Sequence, residues 1–396
     1  MLSLSMIVRD EADRLERCLA SVAGFVDEMV LLDTGSSDAT IAIAERCGAV
    51  VHRLPWPGDF APARNEALRH VAGDWVLVLD ADEVLSDQAR EPLRQLMADP
   101  DLLLINLLRH ELGAAQAPYS NVSRLFRRHP DIRWSRRYHA MVDDSVAALL
   151  EREPHWRLAD CPVPALLHDG YRPELLASGN KAQRLRAAME AELAEHPGDP
   201  YASAKLGALE ISEGQRDRGL ALLQQGLASC PADAHPERYE LLVHLALAED
   251  STAAEARYRQ ALELPLPPRL TLGARLNLAS LLLERDEGAL AEAAALAQAA
   301  SDAAPELAAG WRSLGLIERR RGRIGAAIDA YRRSLALEPE HPETQQNLAV
   351  ALLLGGDIAG ARAGFSRAIV LLQAQGRSGE AQALRQQAGA MVKLDG

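Results

Sequence analysis

With 396 residues, the chain exceeds what one hydrophobic core usually organises, so two or more domains are expected. An apolar share of 48% beside 25% charged residues describes a globular protein and excludes a disordered or fibrous one. The formal net charge of −13 argues against non-specific binding to nucleic acid or anionic lipid, so an anionic ligand needs a local cationic site.

In chain order, Leu2, Leu4, Met6 and Val8 alternate with period two and predict a strand, while Leu15, Cys18, Leu19 and Val22 follow a helix face. The apolar run 29–32 predicts a second strand and ends in Asp33. Ser36 and Ser37 are placed to cap a helix through Ile41 and Ala44 that Gly48 stops, and residues 49–51 open a third strand. Asp59 can cap a helix carrying Ala63, Ala67 and Val71, which stops at Gly73 and feeds a fourth strand, 75–79, before Asp80. Strands alternating with helices imply a parallel sheet, whose ligands sit beyond the carboxyl ends of the strands. Asp33 and Asp80 both stand there.

From about Leu175 the strand pattern gives way to alanine, leucine, glutamate and arginine, which favour helix. Leu314, Gly322, Tyr331 and Leu335 recur as Leu348, Gly356, Phe365 and Ile369, and Pro197, Pro231 and Pro265 keep the same interval of 34 residues. That period marks tetratricopeptide repeats, about five of them over residues 197–372. The unit near Thr271 is irregular, with Ser280 and Ala297 where large apolar residues are expected, and residues 373–396 suit a polar capping helix. The run 102–108, broken by Asn106, is too short to span a membrane, and no basic-then-apolar leader opens the chain, so a cytoplasmic protein is expected. Cys18, Cys47, Cys161 and Cys230 lack any Cys-x-x-Cys spacing, which indicates neither a zinc site nor a disulfide framework.

The segment 79–83, LDADE, is the most informative for chemistry. Two carboxylates one residue apart past a buried strand repel unless a cation joins them, and magnesium or manganese commonly takes one or two protein carboxylates plus phosphate oxygens. The same pattern also suits a solvated turn with capping aspartates. Likewise Asp33 can open a turn before Gly35, Arg64 can join the surface charges around Glu66, and Asp38 can serve as a first-turn helix charge.

The segments SMIVRDEADRLERCLASV, LLDTGSSDAT, DFAPARNEA and WVLVLDADE stand in the order and spacing of the family-2 glycosyltransferases, which over about the first 170 residues the chain resembles. The resemblance is greatest to the branch in which tetratricopeptide repeats follow the transferase, with LLHDGY at 166–171 similar to that branch's junction. It implies an α/β plus all-α protein: a GT-A nucleotide-diphosphosugar transferase domain (1–172), a connecting helix (173–196) and a tetratricopeptide-repeat solenoid. By the same resemblance, Asp33 accepts from the nucleotide base, Arg64 lies beside that nucleotide, Asp80 binds its ribose, and Val8 to Glu11 edge the base pocket. Asp82 holds Mn2+ or Mg2+, with Asp80 and His168 as further candidate ligands. Asparagine is the family's usual residue where Asp10 stands.

The branch carries histidines at the places of His139 and His168, either of which can approach the metal or the leaving phosphate. It generally follows the first with glutamate, but here Ala140 stands there. The resemblance implies inversion, a single displacement that needs a carboxylate base, and Asp143, Asp144 and Glu83 are the candidates. Six arginines between Arg124 and Arg137 form either a solvated face or a cradle for a diphosphate or acidic acceptor, and Trp134 among them offers a sugar-stacking surface.

These residues lead to a metal-dependent inverting hexosyltransferase that moves a sugar from a nucleoside diphosphate, expected to be UDP, to a protein or glycan acceptor. The repeats can hold that acceptor, or a second copy of the chain. The rival readings are a catalytically impaired transferase fold that serves with its repeats as an adaptor and, third, a nucleotidyltransferase.

Overall fold

The computed structural model describes residues 1–114, 118–136, 140–169, 181–285 and 287–392. His139, Arg137 and Tyr171 lie outside the described residues. The chain divides into two compact units, Met1–Cys230 and Pro231–Gly396. No helix among the described residues is long and apolar enough to cross a membrane.

The first unit is built on an eight-stranded sheet: β1 (Leu2–Val8), β2 (Glu28–Asp33), β3 (Val50–Arg53), β4 (Trp75–Val78), β5 (Glu83–Leu85), β6 (Leu102–Glu111), β7 (Tyr119–Arg127) and β8 (Arg157–His168), in the order β3-β2-β1-β4-β7-β6-β8-β5. The expected quartet β3-β2-β1-β4 is parallel. Chain order reverses direction between β1 and β4, which makes their carboxyl ends a topological switch point, the place where open sheets of this kind bind ligands. The remaining strands make the sheet mixed, with β7 antiparallel to both β4 and β6.

Helix α1 (Leu15–Val22) buries Leu15, Cys18, Leu19 and Val22, the face its periodicity marks. With α4 (Asp87–Met97) it covers one side of the sheet, over Leu4, Met6, Leu77 and Leu79. The opposite side packs Val76, Val78, Leu104 and Phe126 against Trp134 and the apolar face of α5 (Asp143–Arg152). Each such fully buried side chain contributes about 1.5–3 kcal/mol.

Two local expectations are corrected. Helix α2 (Thr40–Arg46) begins after Ser36 and Ser37, which do not cap it: Ser36 Oγ accepts from the Asp10 amide, and the Ser37 amide donates to Asp10. Helix α3 (Phe60–Leu68), capped by Asp59 as expected, stops before Gly73. Gly73 serves close approach instead, because a Cβ there would lie 2.4 Å from Ser3 Oγ.

The first unit continues with helices Lys181–Glu195, Pro200–Ser212 and Arg216–Ser229. Arg136 joins this helical part to the α/β part, 3.3 Å from both Asp144 and Asp199. The second unit, among its described residues, holds four helix pairs followed by Ser378–Met391. Small residues set the helix spacing: a Cβ on Gly315 would lie 2.7 Å from the Tyr331 ring. In the irregular repeat Ser280 faces solvent, and alanines including the buried Ala297 pack the helix Glu287–Ala303.

Candidate active site

The loop after β1 and the turn after β2 are tied together at the carboxyl edge of the sheet. Asp10 has φ 54°, in the left-handed region that asparagine and aspartate tolerate, and its carboxylate accepts from the Ser37 amide at 2.7 Å. Either residue type meets both demands, which explains why aspartate can stand where asparagine is usual. Asp38 is more than a helix-terminal charge: it accepts from the Ala12 amide at 3.1 Å and from the Thr40 amide at 2.9 Å. Thr40 Oγ1 in turn accepts from the Glu11 amide at 2.7 Å. Asp33, only 4% exposed, accepts from the Gly35 and Ser36 amides at 3.1 Å, so it both turns the chain and places a carboxyl group at the strand tip. The Val8 carbonyl at the end of β1 accepts from the Thr34 amide at 2.9 Å.

Past β4 the carboxylates fall into two environments. Asp80 accepts from Arg64 Nη2 at 2.7 Å and from Arg124 Nη2 at 2.8 Å. Burial raises its pKa, but the two guanidiniums outweigh it and hold the carboxyl well below the usual range. Arg64 is buried, with its guanidinium 4.8 Å over the Trp134 ring, which excludes the reading of Arg64 as a surface charge. Trp134 is itself buried, backed by Phe126 and fixed by Asn65 through both backbone groups, so it offers no stacking surface.

Glu83 is fully buried and saturated: it accepts from the Asp80 amide at 2.9 Å and from Arg109 at 2.9 Å, and it lies 3.6 Å from Arg124. A carboxylate so enclosed cannot reach an acceptor hydroxyl. Asp82 is different, with a side chain 22% exposed and one oxygen facing His168 Nε2 at 3.4 Å and Arg14 Nη1 at 3.5 Å. Burial raises its pKa, but the His168 hydrogen bond and Arg14 bring it below the ordinary value. Arg14 also pairs with Glu11 at 2.6 Å; even so, burial leaves the Glu11 carboxyl raised.

His168 ends β8, where its register partners are Glu83 on β5 and Glu111 on β6. Its Nδ1 is hydrogen-bonded to Glu111 Oε2. Burial lowers the pKa of His168, but the two acidic partners raise it to about 9, so at neutral pH the ring is a cation donating from both nitrogens. Glu111 moves the opposite way: burial works against ionisation, yet His168, Arg109 and Ser120 hold its pKa at about 2.

Among the described residues, the arginine run does not form one cationic face. Arg124 turns to Asp80, whereas Arg127 and Arg128 donate to the backbone carbonyls of Leu102 and Gly73. The turn of Arg124 has a local cause. Ile105 pairs with Leu125 and Leu107 with Val122, so β7 carries one residue more than β6 and bulges at Ser123 and Arg124.

The two acids that open α5 separate clearly. Asp144 is occupied by Ser135 and Arg136, which hold its pKa down against burial. Asp143 is exposed and accepts from Ser123 Oγ at 2.8 Å. Packing of protein around it raises its pKa, against which the Ser123 hydrogen bond works. Glu111 and Arg109 are missing from the sequence-based candidates, although the alternation Arg109, His110, Glu111 at the end of an apolar strand marks one charged face.

Among the described residues no three histidine, cysteine or acidic side chains converge as a complete metal cage. Asp82 and, once its Nε2 proton is displaced, His168 are two groups that would suit a divalent cation whose shell phosphate and water complete.

Residues 3–159 match the family model of glycosyl transferase family 2, and residues 308–351 match a tetratricopeptide repeat. A TPR repeat-containing protein of Synechococcus elongatus is 45% identical over 396 residues, covering 98% of this chain and 96% of that one. An uncharacterized glycosyltransferase of Rickettsia felis is 37% identical over 97 residues, 24% of this chain and 34% of its own. Among solved structures, the Mycobacterium tuberculosis glucosyl-3-phosphoglycerate synthase is 15% identical, covering 47% of this chain and 76% of that one, with a TM-score of 0.37.

Proposed function

For a chain that belongs to glycosyl transferase family 2 and carries tetratricopeptide repeats behind its transferase domain, we propose a metal-dependent, inverting transfer of a sugar from a nucleoside diphosphate to a protein or glycan acceptor. Glycosyl transfer itself is the family's activity; the donor, the metal, the acceptor and each residue's role are our reading. The observation that carries it is the contrast between Asp80, already neutralised by Arg64 and Arg124, and Asp82, which faces His168 with part of its surface open.

In this reading Asp82 and His168 hold Mn2+ or Mg2+, while Asp80 keeps to its two arginines and presents its remaining surface to the ribose. A divalent ion bound there neutralises the departing diphosphate. Asp33, held at the strand tip by two backbone amides, accepts from the imide of uracil, an interaction cytosine cannot return. Val8 and Glu11 edge the base, and Arg64, beside the nucleotide, orients Asp80, the carboxylate that meets its ribose. Asp143 takes the acceptor's proton, since Glu83 is enclosed and Asp144 is bound to Arg136.

The repeats hold a protein acceptor in this account, raising its effective concentration at the transferase. Removing Pro231–Gly396 tests that part, because the compact unit Met1–Cys230 is kept whole, with Asp199 still beside Arg136. Transfer to the protein acceptor is lost while hydrolysis of the nucleotide sugar continues; transfer at the full-length rate overturns it. Donor class is read by incubating the full chain with a panel of UDP-, GDP- and TDP-sugars and Mn2+. Release of UDP above the others supports the proposal, and release of none contradicts it.

A further inference from the structure

Glu111 takes no part in the reading above, yet it is the most constrained acid beside His168. It closes β6, pairs in register with His168 on β8 and is 4% exposed. Its Oε1 accepts from Arg109 Nε at 2.8 Å and from Ser120 Oγ at 2.5 Å, and its Oε2 bonds His168 Nδ1. Three donors from three neighbouring strands fix both oxygens, so the carboxylate cannot rotate away from the ring. Nδ1 being engaged on one side, Nε2 is turned to Asp82 at 3.4 Å.

We propose that Glu111 is a positioning residue for metal binding: by accepting the Nδ1–H of His168 it fixes the imidazole so that Nε2, when a divalent cation displaces its proton, presents its lone pair beside Asp82. A carboxylate behind a ligating histidine sets both tautomer and ring orientation, and its loss typically weakens metal binding about 10- to 100-fold. The inference rests on the proposed role of Asp82 and His168.

The test uses the full chain and Mn2+ alone, with free Mn2+ followed by electron paramagnetic resonance. Glu111→Ala weakens binding about 10- to 100-fold, and Glu111→Gln, whose amide oxygen still accepts, restores part of it. Wild-type affinity in a folded Glu111→Ala overturns the proposal. Should that variant fail to fold, nitrogen shifts of the His168 ring in wild-type, metal-free protein above its pKa decide: the Nδ1–H tautomer supports the proposal and the Nε2–H tautomer overturns it. Asp82→Ala and His168→Ala separate the two levels. If they abolish Mn2+ binding and Glu111→Ala binds as wild type, the positioning role alone fails; if they too bind as wild type, the metal reading beneath it fails.

Discussion

Arg124 Nη2 donates to Asp80 Oδ2 at 2.8 Å across 44 residues of chain, joining the antiparallel half of the sheet to the tip of the parallel half. The contact exists because β7 bulges at Ser123 and Arg124, where one extra residue re-aims the side chain. Its consequence is that Asp80 and Glu83, both carboxylates of the LDADE segment, arrive already compensated, leaving Asp82 as the acid able to take another cation.

Arg124→Met removes that compensation and leaves Glu83 buried with Arg109 as its remaining cation. Breaking a buried pair in this way costs about 3–5 kcal/mol. Denaturant unfolding of the variant reads this directly, and a loss under about 1 kcal/mol contradicts the assigned burial.

The two acids at the start of α5 carry opposite expectations. Asp143→Asn lowers kcat by about 10²- to 10⁴-fold with little change in KM, the usual scale for a lost general base. Asp144→Asn keeps most activity and loses about 1 kcal/mol of stability through Arg136 and Ser135. Steady-state kinetics of the pair decides between them, and the reverse ranking sinks the choice of Asp143.

Stability should follow pH through His168. Its folded pKa of about 9 lies above the ordinary 6.5, so its contribution is fully present below pH 6.5 and is lost as pH rises through 9. Glu111, lowered from 4.5 to about 2, contributes above pH 4.5 and fades as pH falls toward 2. The Tm of metal-free protein therefore declines from pH 7 to 9 in the wild type, and declines less in His168→Gln; equal slopes contradict the charged ring.

In the repeats, Gly315→Ala places a Cβ 2.7 Å from the Tyr331 ring. Overpacking of this kind costs about 1–3 kcal/mol. Thermal unfolding of the second unit reports it, and an unchanged Tm shows that the helices separate freely.

The parallel quartet, the acids at its strand tips and the helical repeats were legible because period, turn residues and a 34-residue interval are local signals. The arrangement around Glu111 was not. Arg109, Glu111, Arg124 and His168 meet only through the register of β6, β7 and β8, and alternation along one strand does not reveal which neighbour it faces. Trp134 misled for a related reason. An aromatic among arginines reads as a surface feature, whereas Asn65 pins its backbone and Phe126 and Arg64 enclose its ring.

Calorimetric titration of UDP into the full chain, with and without Mn2+ and with wild-type protein beside Asp82→Ala, tests the central claim most directly. The account predicts that Mn2+ tightens UDP binding to the wild type at least tenfold, a difference of about 1.4 kcal/mol, and that Asp82→Ala erases this gain while leaving the weaker metal-free binding in place. Equal UDP affinity in the presence and absence of Mn2+ would contradict it.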